Sequence, residues 1–185
     1  MKKLLVIVDM QNDFIDGVLG SPEAQAIVPK VIERMKQAFE DEDEFICFTK
    51  DTHDVFEYPL TEEGKNLPIP HCLFPSEGWK INKEIMECAA HDSSVTELYF
   101  IWKKTFGHNW EKENWIHDYQ IGTIEIIGLD TDFCVLANAM TLKATFPNAH
   151  IVINAACCAG STPEWHEKAL DMLEHCHCEI INRGE

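Results

Sequence analysis

Hydrophobic and polar positions in this chain follow two periods, and the stretches that obey them take turns from one end to the other. Residues 3–8, apolar without a break from Leu4 to Val8 and with no every-second-residue alternation, predict a central strand covered on both faces. Ser21-Pro22 then carries the signature of a helix start, Ser as N-cap and Pro in the first helical position. Ile27, Val31, Met35 and Ala38 continue it at helical spacing. The same reading predicts strands over 44–49, 97–102, 123–128, 149–154 and 178–182. Helices are predicted over 82–90, 110–116, from near Phe133 to before Pro147, and from Pro163, behind Ser161/Thr162, to about His175. Between Lys50 and Lys80 the chain loses its period and fills with Pro, Gly and acidic residues. Loops of that length in compact domains are functional or disordered, and the His, Asp and Glu in this one favour function.

Strands alternating with helices predict one α/β domain over residues 1–185, a three-layer α/β/α sandwich around a mostly parallel six-stranded sheet. A chain of 185 residues is long enough to bury a sizeable core. Ligands of such sheets bind beyond the carboxyl ends of the strands. That rule gathers Asp9, Asp51 with His53, Lys103 and Cys134 on one rim.

Charge narrows the partners. Fifteen basic against 32 acidic residues give a net charge of −17, a field that repels phosphate backbones and anionic membrane surfaces, so neither nucleic acid nor membrane is expected. No apolar run reaches the length of a membrane span, and the one after Lys2-Lys3 is cut off by Asp9, too short for a signal peptide. A cytoplasmic protein is expected, with its eight cysteines as reduced thiols rather than a disulfide framework.

Cys134 falls at the start of a predicted helix, where free N–H groups and a positive potential favour a thiolate and can hold an oxyanion. On the same rim Asp9 supplies a carboxylate to move protons and Lys103 a cation to fix both. The competing reading is an inert core thiol beside two rim charges, which spacing alone leaves equally open. In the loop, Asp51-Thr52-His53 and His71 offer oxygen and nitrogen donors suited to Zn²⁺, Mn²⁺ or Fe²⁺, although acidic loops contain such pairs by chance. His175-Cys176-His177-Cys178 also looks like a ligand cluster, but at a helix end running into a strand its side chains are expected to diverge. Cys157-Cys158 is read as following the fifth strand, its thiols as small core residues, and Trp102 as a wall of the pocket.

Three segments then converge on one family. Asp9-Met10-Gln11-Asn12-Asp13-Phe14 resembles the opening D-x-Q-x-D-F of the isochorismatase-like cysteine hydrolases. Lys103-Lys104-Thr105-Phe106-Gly107 is similar to their K-x-x-[FY]-[SG], and Gly128-Leu129-Asp130-Thr131-Asp132-Phe133-Cys134-Val135 to their G-x-x-T-D-x-C-V. The segments stand in the family's order, and the resemblance covers essentially the whole chain. It implies an Asp9, Lys103, Cys134 triad, with Lys104 as the fallback lysine; the position of Phe106 favours Lys103. It also implies a cis peptide at Leu129–Asp130 and an oxyanion hole from the backbone amides of Asp130 and Cys134. Asp130 itself departs from the small or apolar residue usual there, and either binds a basic group on the substrate or caps the turn. Nicotinamidases within the family hold a metal through Asp-x-His, a further His or Glu, and a His after a Pro-rich turn. Carried over, the ligands of one divalent metal, Zn or else Mn or Fe, are Asp51, His53, Glu63 and His71, with Glu62 and Glu57 as rivals to Glu63. Phe14 and Phe106 become candidates to pack against a flat substrate ring, while Pro68 replaces an aromatic often found before the last histidine. The implied reaction converts a small amide to acid and ammonia through a thioester. Hydrolysis of a carbamoyl or ureido compound, or a binding domain with a relic site, are the alternatives, and assembly into a homo-oligomer stays open.

Overall fold

The computed structural model describes residues 1–92 and 97–184. Six strands, β1 (Lys2–Val8), β2 (Glu44–Asp51), β3 (Leu98–Lys103), β4 (Ile121–Leu129), β5 (His150–Ala159) and β6 (Glu179–Ile181), form one sheet in the order β3-β2-β1-β4-β5-β6. Every neighbouring pair is parallel, so the expected mostly parallel sheet is wholly so. Leu4, Leu5, Val6, Ile7 and Val8 have no exposed surface, as their unbroken apolar run predicts for the central strand.

Among the described residues seven α-helices surround the sheet: α1 (Asn12–Ile15), α2 (Pro22–Phe39), α3 (Glu62–Asn66), α4 (Lys83–Asp92), α5 (Asn114–His117), α6 (Leu136–Thr145) and α7 (Pro163–His175). α2 packs against α4, and α6 against α7; right-handed crossovers put these two pairs on opposite faces. The predicted caps are in place: Ser21 Oγ accepts from the Ala24 amide and Thr162 Oγ1 from the Trp165 amide. The predicted helix over 110–116 is broken into a 3₁₀ turn, Trp110–Lys112, and α5. A wide π-turn, Thr131–Val135, precedes α6. No helix among the described residues is long and apolar enough to cross a membrane.

Two expectations are corrected. β5 runs on to Ala159, so Cys157 and Cys158 lie inside the strand rather than after it; both are buried. Their small side chains fit where β5 pairs Cys158 with Gly128 and Ala159 with Leu129. Trp102 is not a wall of the pocket. It alternates with Lys103 along β3, so it points to the opposite face, where its ring meets Phe74 and Trp79.

Strand order reverses at β1, whose neighbours are β2 and β4, and a crevice opens at such a switch point beyond the carboxyl ends. Gly128 lets the two chains meet there. Its φ is +115°, and a Cβ on it would stand 2.1 Å from the Val8 carbonyl oxygen. Gly128→Ala is therefore expected to cost about 3 kcal/mol and lower the melting temperature by roughly 6–12 °C, read by calorimetry.

Candidate active site

Asp9 leaves β1 with a left-handed backbone, φ 47°, and is fully buried. Its Oδ1 accepts a 2.7 Å hydrogen bond from Thr49 Oγ1, and its Oδ2 lies 2.6 Å from Lys103 Nζ. The same ammonium donates to Cys134 Sγ at 3.3 Å and reaches Asp51 Oδ1 at 3.6 Å. The ends of three strands and the π-turn after a fourth thus converge on Lys103, which is 3% exposed. Lys104, the fallback, is exposed and paired with Glu57. The peptide bond Leu129–Asp130 is cis, as the resemblance implies.

The electrostatics of this trio follow from burial. Burial pulls Lys103 down, but Asp9, Cys134 and Asp51 outweigh it and hold its ammonium well above the usual value. Burial raises the Asp9 carboxyl, with Lys103 opposing. It also pushes the Cys134 thiol well above its ordinary range, against the attraction of Lys103. The expectation of a thiolate stabilised at a helix start is corrected here: Cys134 sits inside the π-turn, and loss of water outweighs the nearby cation. Burial thus makes the thiol harder to ionise, while Asp9 and Cys134 share the Lys103 ammonium.

The loop delivers a second cluster next to the first. One ligand atom each from Asp51, His53, Glu63 and His71 lies within 4.8 Å of all the others. Asp51 Oδ2 is 2.8 Å from His53 Nε2 and 3.3 Å from His71 Nε2, and Glu63 Oε1 is 3.5 Å from His71 Nε2. Burial opposes the Asp51 charge, but Lys103, His53 and His71 hold its carboxyl below the usual carboxylate range. His71 Nδ1 donates to the Ile69 carbonyl at 2.9 Å, leaving Nε2 to face the cluster. His53 Nε2 is buried and faces Asp51 Oδ2 and, at 3.7 Å, Glu63 Oε1. Two carboxylates and two imidazoles with their donor atoms turned to one point suit a divalent metal of the zinc type. The rivals to Glu63 point elsewhere: Glu62 pairs with Lys65 and Glu57 with Lys104, both at the surface. His175, Cys176, His177 and Cys178 form no such group among the described residues.

Phe14 is buried, its ring edge-on to His71 at 5.4 Å; Phe106 is 40% exposed and tilted against Phe133. Asp130 does not cap the turn with its side chain. Its carbonyl accepts from the Phe133 and Val135 amides instead, and burial, with Asp132 and Asp9 nearby, pushes its carboxyl up to about 7.

Four contributors escape the sequence reading. Thr49 holds Asp9. Gln11 clamps the end of β2, accepting from the Asp51 amide and donating to the Asp51 carbonyl. Asn138, one turn beyond Cys134, donates to the carbonyls of Cys134 and Phe106 and so ties the Cys134 segment to the Lys103 segment. Tyr58 supplies an aromatic wall that Pro68 does not, its ring 4.7 Å from His53 and 5.1 Å from His71. Gln11 stands inside a segment already singled out; the other three carry no local signal.

Known proteins share this arrangement of elements. A family model described as Isochorismatase domain matches residues 3–185. An isochorismatase family protein of Bacillus subtilis (strain 168), PncA, is 25% identical over 174 residues, 92% of this chain and 93% of that protein. The crystal structure of nicotinamidase PncA from Bacillus subtilis is similar with a TM-score of 0.80 at 26% identity, covering 97% of this chain and 99% of that one. That of pyrazinamidase of Pyrococcus horikoshii in complex with zinc reaches 0.73 at 23%, covering 98% and 99%. The family model runs through all three motif segments, and the chain belongs to the isochorismatase domain family.

Proposed function

We propose that this protein is a cysteine amidohydrolase of the nicotinamidase kind, which converts a small aromatic amide to acid and ammonia through a thioester on Cys134. One observation carries the reading: a single buried ammonium, Lys103 Nζ, lies 2.6 Å from Asp9 and 3.3 Å from Cys134. A nucleophile, a base and a cation that keeps the two together are what amide cleavage by a thiol requires. The similarity to a nicotinamidase over nearly the whole chain supports the same reading. Free thiols at Cys47, Cys72, Cys134, Cys157, Cys158, Cys176 and Cys178 fit the reducing interior of a cell.

In this mechanism Asp9 takes the Sγ proton as sulfur bonds to the amide carbon, so charge never rests on an isolated buried thiolate. The backbone amides of Asp130 and Cys134 receive the developing oxyanion. Asp9 returns the proton to the leaving nitrogen, the C–N bond breaks and ammonia departs. Asp9 then removes a proton from water, whose oxygen attacks the thioester carbon; the acid is released and Cys134 is protonated again. Lys103 stays charged throughout and balances whichever of Asp9 or Cys134 is anionic. Asp51, His53, Glu63 and His71 would hold a divalent metal, and its chemistry is to offer a Lewis-acidic position to a ring nitrogen of the substrate. Phe14, packed on His71, would bound the ring at that end.

Nicotinamide is the substrate to test, with benzamide, of the same shape but no ring nitrogen, as its control. A lost contact of about 1.5–3 kcal/mol predicts a preference for nicotinamide of at least about tenfold in kcat/KM, measured by ammonia release. Turnover of other amides with none of nicotinamide would overturn the substrate assignment. Equal rates on the two would remove the loop cluster from substrate recognition.

A further inference from the structure

β2 and β3 present different chemistry on their two faces. Thr49, Asp51 and Lys103 turn toward the catalytic cluster. Lys50 and Trp102, partners across the ladder, turn to the other face by the two-residue alternation of a strand. There β3, the start of α4 and the residues before it border an open groove of about 650 Å³, within the range of small-molecule sites. Trp102, Phe100, Ile81 and Met86 give it apolar walls. Trp102 is 57% and Phe100 45% exposed, so both rings are accessible where they line it. None of Asp9, Lys103, Cys134 or the four loop ligands lines it.

Lys50 makes this more than an apolar dent. It is only 7% exposed, and its ammonium rests on the Trp79 ring, 2.9 Å from the centroid. Among the described residues no carboxylate lies within ion-pair distance of it, whereas Lys80 and Lys83 at the groove margin hold Glu77 and Glu87. A lysine this deeply buried without an anion is costly, and an incoming anion removes the cost. The net charge of −17 discourages extended polyanions, which leaves a small one. Aromatic walls ending at one unpaired cation match a flat ring that carries one negative charge.

We propose that this groove is a second ligand site, taking a small aromatic carboxylate whose charge pairs with Lys50 and whose ring stacks on Trp102. The site is independent of the proposed reaction and does not stand or fall with it.

Benzoate titrated into ¹⁵N-labelled protein tests it through the indole N–H resonances, with Trp79→Phe and Trp102→Phe to assign them. The Trp79 and Trp102 signals are expected to shift saturably, while those of Trp110, Trp115 and Trp165, which lie elsewhere, stay put. Lys50→Met keeps the side-chain length and removes the charge, and is expected to weaken binding at least about tenfold. Trp102→Ala removes a ring that is more than half exposed, and is expected to weaken it several-fold. Benzyl alcohol, a neutral ring, is expected to leave both signals unmoved at the same concentrations. Three results would overturn the proposal: no shift at Trp79 and Trp102, an undiminished shift in Lys50→Met, or an equal shift with benzyl alcohol. Shifts of these signals with protein concentration alone would show that a second copy covers the groove, and would overturn it too.

Discussion

Replacing Cys134 with alanine is expected to yield a folded protein that hydrolyses no amide, with kcat reduced by at least about four orders of magnitude. The sulfur has no substitute in the pocket. Asp9 is fully buried and ion-paired, and Lys103 is held as an ammonium by its neighbours, so neither supplies a nucleophile. Loss of one buried Sγ leaves a small cavity, worth about 1 kcal/mol and roughly 2–4 °C in melting temperature, so activity and stability separate cleanly. Asp9→Asn is expected to be nearly as damaging, because in the proposed reaction Asp9 moves a proton in both halves while an amide moves none. Lys103 would keep Asp51 at 3.6 Å as a carboxylate partner in that variant, which favours retention of the fold. Ammonia release, with mass spectrometry of the acylated enzyme after a rapid quench, reads both variants. Amidase activity in purified Cys134→Ala protein above about 1% of the parent would end the covalent mechanism.

How far such a site can be read from sequence depends on whether its causes are local. Asp9, Asp51, Lys103 and Cys134 are legible because each ends a strand or follows it closely, and a parallel sheet sends all such ends to one rim. Ser21 and Thr162 are legible because a cap is a contact with the next turn. The far end of β5 is not: Ala155-Ala156-Cys157-Cys158-Ala159 has no β-branched or aromatic residue to signal a strand, and pairing with β4 keeps it extended. The roles of Thr49, Asn138 and Tyr58 are long-range contacts of ordinary polar residues, with no pattern of their own. The direction of the Cys134 shift is missed for a related reason. A helix start is visible locally, but burial, which decides the thiol, belongs to the whole fold. Glu63 is picked out from Glu62 and Glu57 only by the path of the loop, because α3 turns one glutamate inward and leaves its neighbour in solvent.

That path leads to the second large expected effect, loss of metal on truncating a loop histidine. Purified protein is expected to carry about one equivalent of a divalent metal, and His53→Ala or His71→Ala to weaken its binding by at least about a hundredfold, leaving little after dialysis. Both imidazoles are buried, His53 at 5% and His71 at 2% exposure, so water cannot easily replace either ring. His71 is also pre-set by its bond to the Ile69 carbonyl, which leaves Nε2 as its donor. Glu63→Gln removes a charge but keeps an oxygen donor, so weakened rather than abolished binding is expected. Glu62→Gln and Glu57→Gln change exposed ion pairs with Lys65 and Lys104 and are expected to leave metal content untouched. Cys134→Ala is expected to keep its metal as well, because Sγ is not among the donors, and that separates loss of the nucleophile from loss of the cluster. Elemental analysis of the dialysed variants reads all of this without an activity assay. Full metal content in both histidine variants would move the ligands away from this loop.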